Sequence, residues 1–325
     1  PSVTISDATA SEGDALVFDV TLSNDSVEAI VLDLATAGGT ATDGTDYENT
    51  NFEYSTDGGT TWNNATNGTE VTIPAGSTAI KVRVDSIEDA LDEVNETFTL
   101  SVASVVSGTT GATSDTGEGT INDDDAAPGL SINDVTRNEA TGTMTFTVTL
   151  DAPGTQAVSV GWSTATGTAT GSDFTAASGT LNFAAGETSK DITITIANDG
   201  TYEGSESLTV NLNTPTNATI SDGTGVGTIL DDGTGDGGTD DDRPSVTISD
   251  AAASEGDALV FDVTLSNDSV EAIVLDLTTA GGTATDGTDY ENTNFEYSTD
   301  GGTTWNNATN GTEVTIPAGS TAIKV

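Results

Sequence analysis

Three consecutive aspartates, Asp123, Asp124 and Asp125, close the apolar-alternating stretch GEGTINDDD. Adjacent carboxylates repel one another, and no lysine or arginine accompanies them in sequence. Other acids of the same segment of chain also fall at the ends of strand-like stretches: Glu12 in ASEGD, Asp46 in GTDY, and Glu88, Asp89, Glu93 and Glu96 in SIEDALDEVNETF. In a sandwich of strands that alternate in direction, loops two strands apart lie at the same end, so these four segments are expected to converge. The donor set would be oxygen alone, because the 325 residues include no histidine and no cysteine. Calcium takes about six to eight hard oxygen ligands in forgiving geometry, magnesium keeps its waters, and zinc favours nitrogen and sulfur. Calcium is therefore the expected ion. A solvated acidic surface of the salt-adapted kind is the alternative that composition alone would favour.

Catalysis is not expected. Without histidine or cysteine the usual base and nucleophile are missing, and no glycine-rich loop opens a helix for phosphates. Paired carboxylates can cleave glycosides, but that chemistry needs a cleft and two carboxyls at a defined separation. The acids here cluster too densely for that. With 53 acidic against 6 basic side chains, a net charge of −47 opposes nucleic acid and anionic lipid as partners and favours inorganic cations.

The elements that would position these acids are strands. ALVFDVTL sets Leu16, Phe18, Val20 and Leu22 on one face, and GTMTFTVTL does the same with Met144, Phe146, Val148 and Leu150. KDITITI (Ile192, Ile194, Ile196) and ESLTVNL (Leu208, Val210, Leu212) repeat the alternation. Gly, Thr, Ser, Asn and Asp fill the intervals, as turns require. The predicted class is all-β, with immunoglobulin-like antiparallel β-sandwiches in tandem. No apolar run reaches the length of a membrane span and no leader opens the segment, which reads as an excerpt of a longer polypeptide.

The chain repeats itself. Residues 1–82 return as 244–325 with two differences, Thr9 to Ala252 and Ala35 to Thr278. Between them lies a divergent relative, whose WSTATGTATGSDF (162–174) mirrors LATAGGTATDGTDY (34–47). Near-identity at long period signals tandem duplication. The expected units are domain A at 1–125, domain B at 126–233, a Gly/Asp linker at 234–243, and a second copy of A at 244–325 that is incomplete at its C-terminal end. A glycine-rich linker restricts angles less than the short, proline-containing AAPG junction, so bending is expected at 233–243. Domain A also carries 17 more residues than B between Tyr47 and Val71, among them NFEYSTDGGTTW, which reads as a β-hairpin. Its Phe52, Tyr54 and Trp62 either cap the sandwich or form a contact surface.

SEGD, GTATDGTDY, IPAGST, DEVNETFTL and INDDD in A, with NEATG, GTATGSDF, FAAGETSKDITITI, YEGSESLTV and ILDDG in B, make the chain resemble tandem Calx-beta domains. The resemblance implies calcium at the C-terminal end of each sandwich. In A the implied ligands are Glu12, Asp46, Glu88, Asp89, Glu93, Glu96, Asp123, Asp124 and Asp125. In B the matching positions are Glu139, Asp173, Asp199, Glu203, Glu206, Asp231 and Asp232. Asn198 stands where A has Glu88, and Gly233 where A has Asp125, so fewer or weaker ions are expected in B. In the partial copy only Glu255 and Asp289 correspond.

Near-identical copies suit length-building, in which each unit extends a rod without new surface chemistry. The resemblance then implies extender repeats of an exported bacterial surface adhesin or biofilm matrix protein, located at the cell surface or in the matrix. The expected partners are calcium ions, neighbouring repeats and other copies of the same protein, without nucleic acid or direct membrane insertion. A laterally associating extracellular filament and a calcium-sensing module of a larger membrane protein are the alternatives.

Overall fold

Alternating segments form strands here because each has a second sheet to bury its apolar face against. The structure, a computed structural model, describes residues 1–113, 115–235 and 240–325. In the first repeat the strands are β1 (Val3–Ile5), β2 (Ala8–Ser11), β3 (Ala15–Leu22), β4 (Ile30–Gly38), β5 (Asn51–Ser55), β6 (Asn63–Thr66), β7 (Thr69–Ile73), β8 (Ala79–Asp85), β9 (Glu96–Ser107) and β10 (Thr116–Asn122). They make two sheets, ordered β1-β3-β8-β5-β6 and β2-β10-β9-β4-β7. Leu16, Phe18 and Val20 of the first sheet meet Leu32, Leu34, Phe98 and Leu100 of the second in one core. Phe98 stacks on Tyr47 with ring centroids 4.4 Å apart and meets Phe18 edge-on at 5.8 Å. Gly119 of β10 passes directly over this group: a Cβ there would lie 2.8 Å from the Phe98 ring, so only glycine fits.

The inserted hairpin is β5 and β6, and it lengthens the first sheet because β5 pairs with β8. Phe52 is buried in the core and Tyr54 packs against it. Trp62 is half-buried beneath the Arg83 guanidinium, 4.5 Å from its ring. The hairpin aromatics thus cap the sandwich.

The pairing is not antiparallel throughout. The first strand is split: β1 pairs antiparallel with β3, the chain crosses between sheets at Ser6 and Asp7, and β2 then runs parallel to β10. The crossing is held by side chains, with Asp19 N donating to Ser6 Oγ and Glu118 N to Asp7 Oδ1, each at 2.9 Å. Alternation cannot reveal such a switch, because both halves present an apolar face to the same core.

The second repeat repeats the plan with β11 (Gly129–Ile132), β12 (Val135–Asn138), β13 (Thr143–Leu150), β14 (Val158–Thr166), β15 (Ser178–Phe183), β16 (Ser189–Thr195), β17 (Glu206–Thr216), β18 (Thr219–Asp222) and β19 (Thr224–Leu230). Its sheets are β16-β13-β11-β18 and β12-β19-β17-β14-β15, with β12 parallel to β19. In the third repeat Val246–Ile248, Asp262–Leu265 and Ala322–Lys324 form one sheet, and Ile273–Leu277 pairs with Thr312–Ile316. A cavity of about 450 Å³ in this repeat is lined by Leu259, Phe261 and Tyr290, which correspond in sequence to Leu16, Phe18 and Tyr47 of the first repeat.

Candidate metal centre

Strand register brings the acidic loops together. Parallel pairing of β2 with β10 sets Ser11 opposite Asn122, so Glu12 and Asp123 leave the sheet side by side, with Glu12 N donating to Asn122 O. Ala15 of β3 opposes Asp85 of β8, which delivers the Glu88–Asp89 loop to the same end. Gly38 of β4 opposes Phe98 of β9, which adds Asp46 and Glu96. Buried Ser86 ties two of these loops by donating through Oγ to Asp14 O at 2.7 Å, and Ile87 N donates to Asp46 O at 2.9 Å. Gly13 turns the chain after Glu12 with a φ of +73°, and a Cβ there would lie 2.8 Å from Glu88 Oε2.

Two groups of carboxylates result in domain A: Glu12 with Asp89 and Asp125, and Asp46 with Glu93 and Glu96, each with oxygens within 4.8 Å of one another. Glu12 Oε2, Glu96 Oε2 and Asp125 Oδ2 are buried and lack a hydrogen-bond partner. Burial first, then the charges of Asp89, Asp123, Glu93 and Asp125, push Glu12 up to about 7. Burial and then Asp46 raise Glu96 above the usual carboxylate range. Asp123 stands outside both groups, and its Oδ1 accepts from Glu93 N at 3.0 Å. Asp124 and Glu88 are exposed and outside both groups.

Domain B builds the same end. Asn138 of β12 opposes Leu230 of β19, which places Glu139 beside Asp231. Asp173, Glu203 and Glu206 form one group. Asp231 Oδ2 accepts from Glu203 N at 2.8 Å, as Asp123 does in A. Burial, then the neighbouring Asp173, lifts Glu203 to about 7. Burial and a hydrogen bond shared with Asp173 do the same for Glu206.

The other group in B is not the one the motif implies. Glu139 is joined by Asp240 and Asp242, from the segment expected to be a linker. Asp232 stays outside, with its Oδ1 accepting from Thr234 N at 3.0 Å, and Asp199 is exposed, with its Oδ1 accepting from Thr201 N at 2.7 Å. Burial, then Asp231, Asp242, Asp199 and Asp240, push Glu139 to about 8. Residues 240–242 lie back against domain B: Gly233 turns the chain at a φ of +73°, and Asp232 pairs antiparallel with Asp241. The sequence signal was DDD at 240–242, which mirrors 123–125 but lies too far beyond the strand for motif alignment to join it. Residues 236–239 of the expected linker lie outside the described residues. In the third repeat Glu255 and Asp289 are exposed and join no acidic group among the described residues.

These donor sets fit a hard divalent cation. They are all oxygen, drawn from separate loops, and three of the four include buried oxygens that no protein donor reaches. Lys81, Arg83, Lys190, Arg243 and Lys324 are paired with Asp19, Glu53, Glu187, Asp241 and Asp262, none of them in the four groups. Among the described residues no helix is long and apolar enough to cross a membrane.

A sequence model described as the Calx-beta domain matches residues 1–125, 122–233 and 239–309. No curated protein matches. Among solved structures, the apo form of the Calx CBD1 domain is similar at 22% identity and a TM-score of 0.31, over 32% of this chain and 97% of that one. CBD12 from CALX1.2 is similar at 19% identity and a TM-score of 0.32, over 70% and 99% of the two chains. A tetra-tandem repeat in the extending region of a large adhesion protein is similar at 14% identity and a TM-score of 0.34, over 98% and 66%.

Proposed function

Since the chain belongs to the Calx-beta family, whose domains stand here in tandem, we propose that its repeats are calcium-stiffened spacers of an exported bacterial surface or matrix protein. The observation that carries this reading is the convergence of buried, unpartnered carboxylate oxygens at one end of each complete sandwich. Glu12, Asp89 and Asp125 would hold one ion, Asp46, Glu93 and Glu96 a second, and Asp173, Glu203 and Glu206 a third. Bound calcium supplies the positive charge that these loops lack. The residues do the rest: they link the ends of strands that are distant in sequence, so neutralising them fixes the direction in which the chain leaves each domain.

A binding role rather than a catalytic one agrees with the family and the all-β fold. The near-identity of residues 1–82 and 244–325 supports length-building. Burial of Phe52 and the cover of Arg83 over Trp62 favour a passive spacer over lateral contact through the hairpin.

The test is calcium titration of the 325-residue chain by calorimetry, with small-angle scattering in calcium and in chelator. The reading expects tight uptake and a longer, narrower particle in calcium. Identical profiles in both buffers with no heat of binding reject it. Antibody labelling of intact producing cells tests the location.

A further inference from the structure

In domain B one carboxylate group is completed from outside the domain. We propose that the segment joining B to the following repeat supplies calcium ligands, Asp240 and Asp242, to a site closed by Glu139, so that one ion clasps the junction. This rests on the reading that calcium occupies the acidic ends of these domains.

The three side chains offer oxygens within 4.8 Å of one another. Glu139 is only 5% exposed and offers an oxygen to the group, and its Oε1, like Asp242 Oδ2, is buried without a hydrogen-bond partner. A buried oxygen left without a donor is costly, and a cation relieves that cost. Asp241, between Asp240 and Asp242, makes an antiparallel bridge to Asp232. Asp241 turns the other way and binds Arg243 through both carboxylate oxygens, each at 2.7 Å, while Asp240 and Asp242 face Glu139.

The returning segment is held in place by neutral donors. Asn138 Nδ2 reaches Thr234 O at 3.3 Å and Asp240 O at 3.1 Å, and Asn198 Nδ2 reaches Asp240 Oδ2 at 2.5 Å. Asn198 replaces the Glu88 of domain A and so removes a competing charge. Beyond the group the chain is coupled directly to the next repeat. Asn267 Nδ2 donates to Asp242 O at 2.5 Å, and Tyr202, beside Glu203, exchanges main-chain hydrogen bonds with Asp268 and Val270 at 3.0 and 2.9 Å. Asp242 thus offers its side chain to the group and its main-chain oxygen to the following repeat.

The test compares the full chain with Asp240→Asn/Asp242→Asn and with the charge-matched control Asp232→Asn/Asp241→Asn, using calcium titration and hydrogen exchange at 240–243 and 267–270. The expected result is that the first variant loses one calcium equivalent, or weakens one class of site at least tenfold. It also loses the calcium-dependent protection at 267–270, while the control behaves as wild type. These substitutions keep side-chain shape and remove like charges, so melting in chelator at or above the wild-type temperature accompanies the result. Wild-type binding and protection in the first variant, or equal losses in the control, overturn the inference and leave the proposed function standing. Absence of calcium binding by the wild-type chain overturns both.

Discussion

Asn138 donates through Nδ2 to the main-chain oxygen of Asp240 at 3.1 Å, across 102 residues of sequence. The same fully buried side chain accepts from Ala140 N at 3.0 Å, capping the short turn that carries Glu139. One amide therefore positions both a candidate ligand and the segment that brings the other two. Replacing it with alanine removes the acceptor for Ala140 N and the donor to Thr234 O and Asp240 O, which costs about 1–3 kcal/mol. Asn138→Ala is expected to lower the unfolding free energy of domain B in chelator by that amount, read from a lower denaturant midpoint, with the domain A transition unchanged.

Glu12 has opposite effects with and without calcium. In chelator its buried charge faces Asp89, Asp123, Glu93 and Asp125, so Glu12→Gln is expected to raise the melting temperature of domain A. In saturating calcium the wild-type domain gains about 2.7 kcal/mol per site at a hundredfold excess over Kd, on the order of 10 °C for a domain of this size. The variant is expected to lose that gain at the Glu12 site. Scanning calorimetry in the two buffers reads both signs, and a variant less stable than wild type in chelator contradicts the repulsion argument.

The pH dependence should reverse with calcium. Glu12, Glu203 and Glu206, at about 7, and Glu139, at about 8, lie above the ordinary carboxylate range in the calcium-free fold. The folded state therefore binds more protons than the unfolded chain between about pH 4.5 and 8, and its stability falls as pH rises through that window. Calcium-free protein is expected to melt higher at pH 5 than at pH 8. In calcium the order inverts, because protons compete with the ion. Melting curves at the two pH values, with and without calcium, check this, and the same order in both buffers counts against it.

Core packing and the metal centre are linked through Tyr47, next to Asp46 in sequence and stacked on Phe98. Phe98→Ala is expected to cost about 3–5 kcal/mol and to weaken calcium uptake at Asp46, Glu93 and Glu96. Gly119→Ala would place a methyl 2.8 Å from the same ring and is expected to cost about 1–3 kcal/mol. Urea denaturation of the two variants, beside calcium titration, separates the packing loss from the ligand loss.

Alternation in ALVFDVTL and TMTFTVTL determined β3 and β13 and which side chains enter the core, because burial on one face of a strand is a local, period-two property. The repeat, the all-β class and the acidic loops were equally local. The split of the first strand into β1 and β2 was decided only by tertiary structure, as was its parallel pairing with β10. That pairing, Ser11 against Asn122, sets Glu12 beside Asp123, and no periodicity near either residue encodes it. Among adjacent aspartates the same limit holds: Asp125, Asp240 and Asp242 join the groups, whereas Asp124 stays exposed and Asp241 pairs with Arg243. Residue type fixes the charge that a side chain carries, but strand register and the path of the chain around it fix the direction in which that charge points.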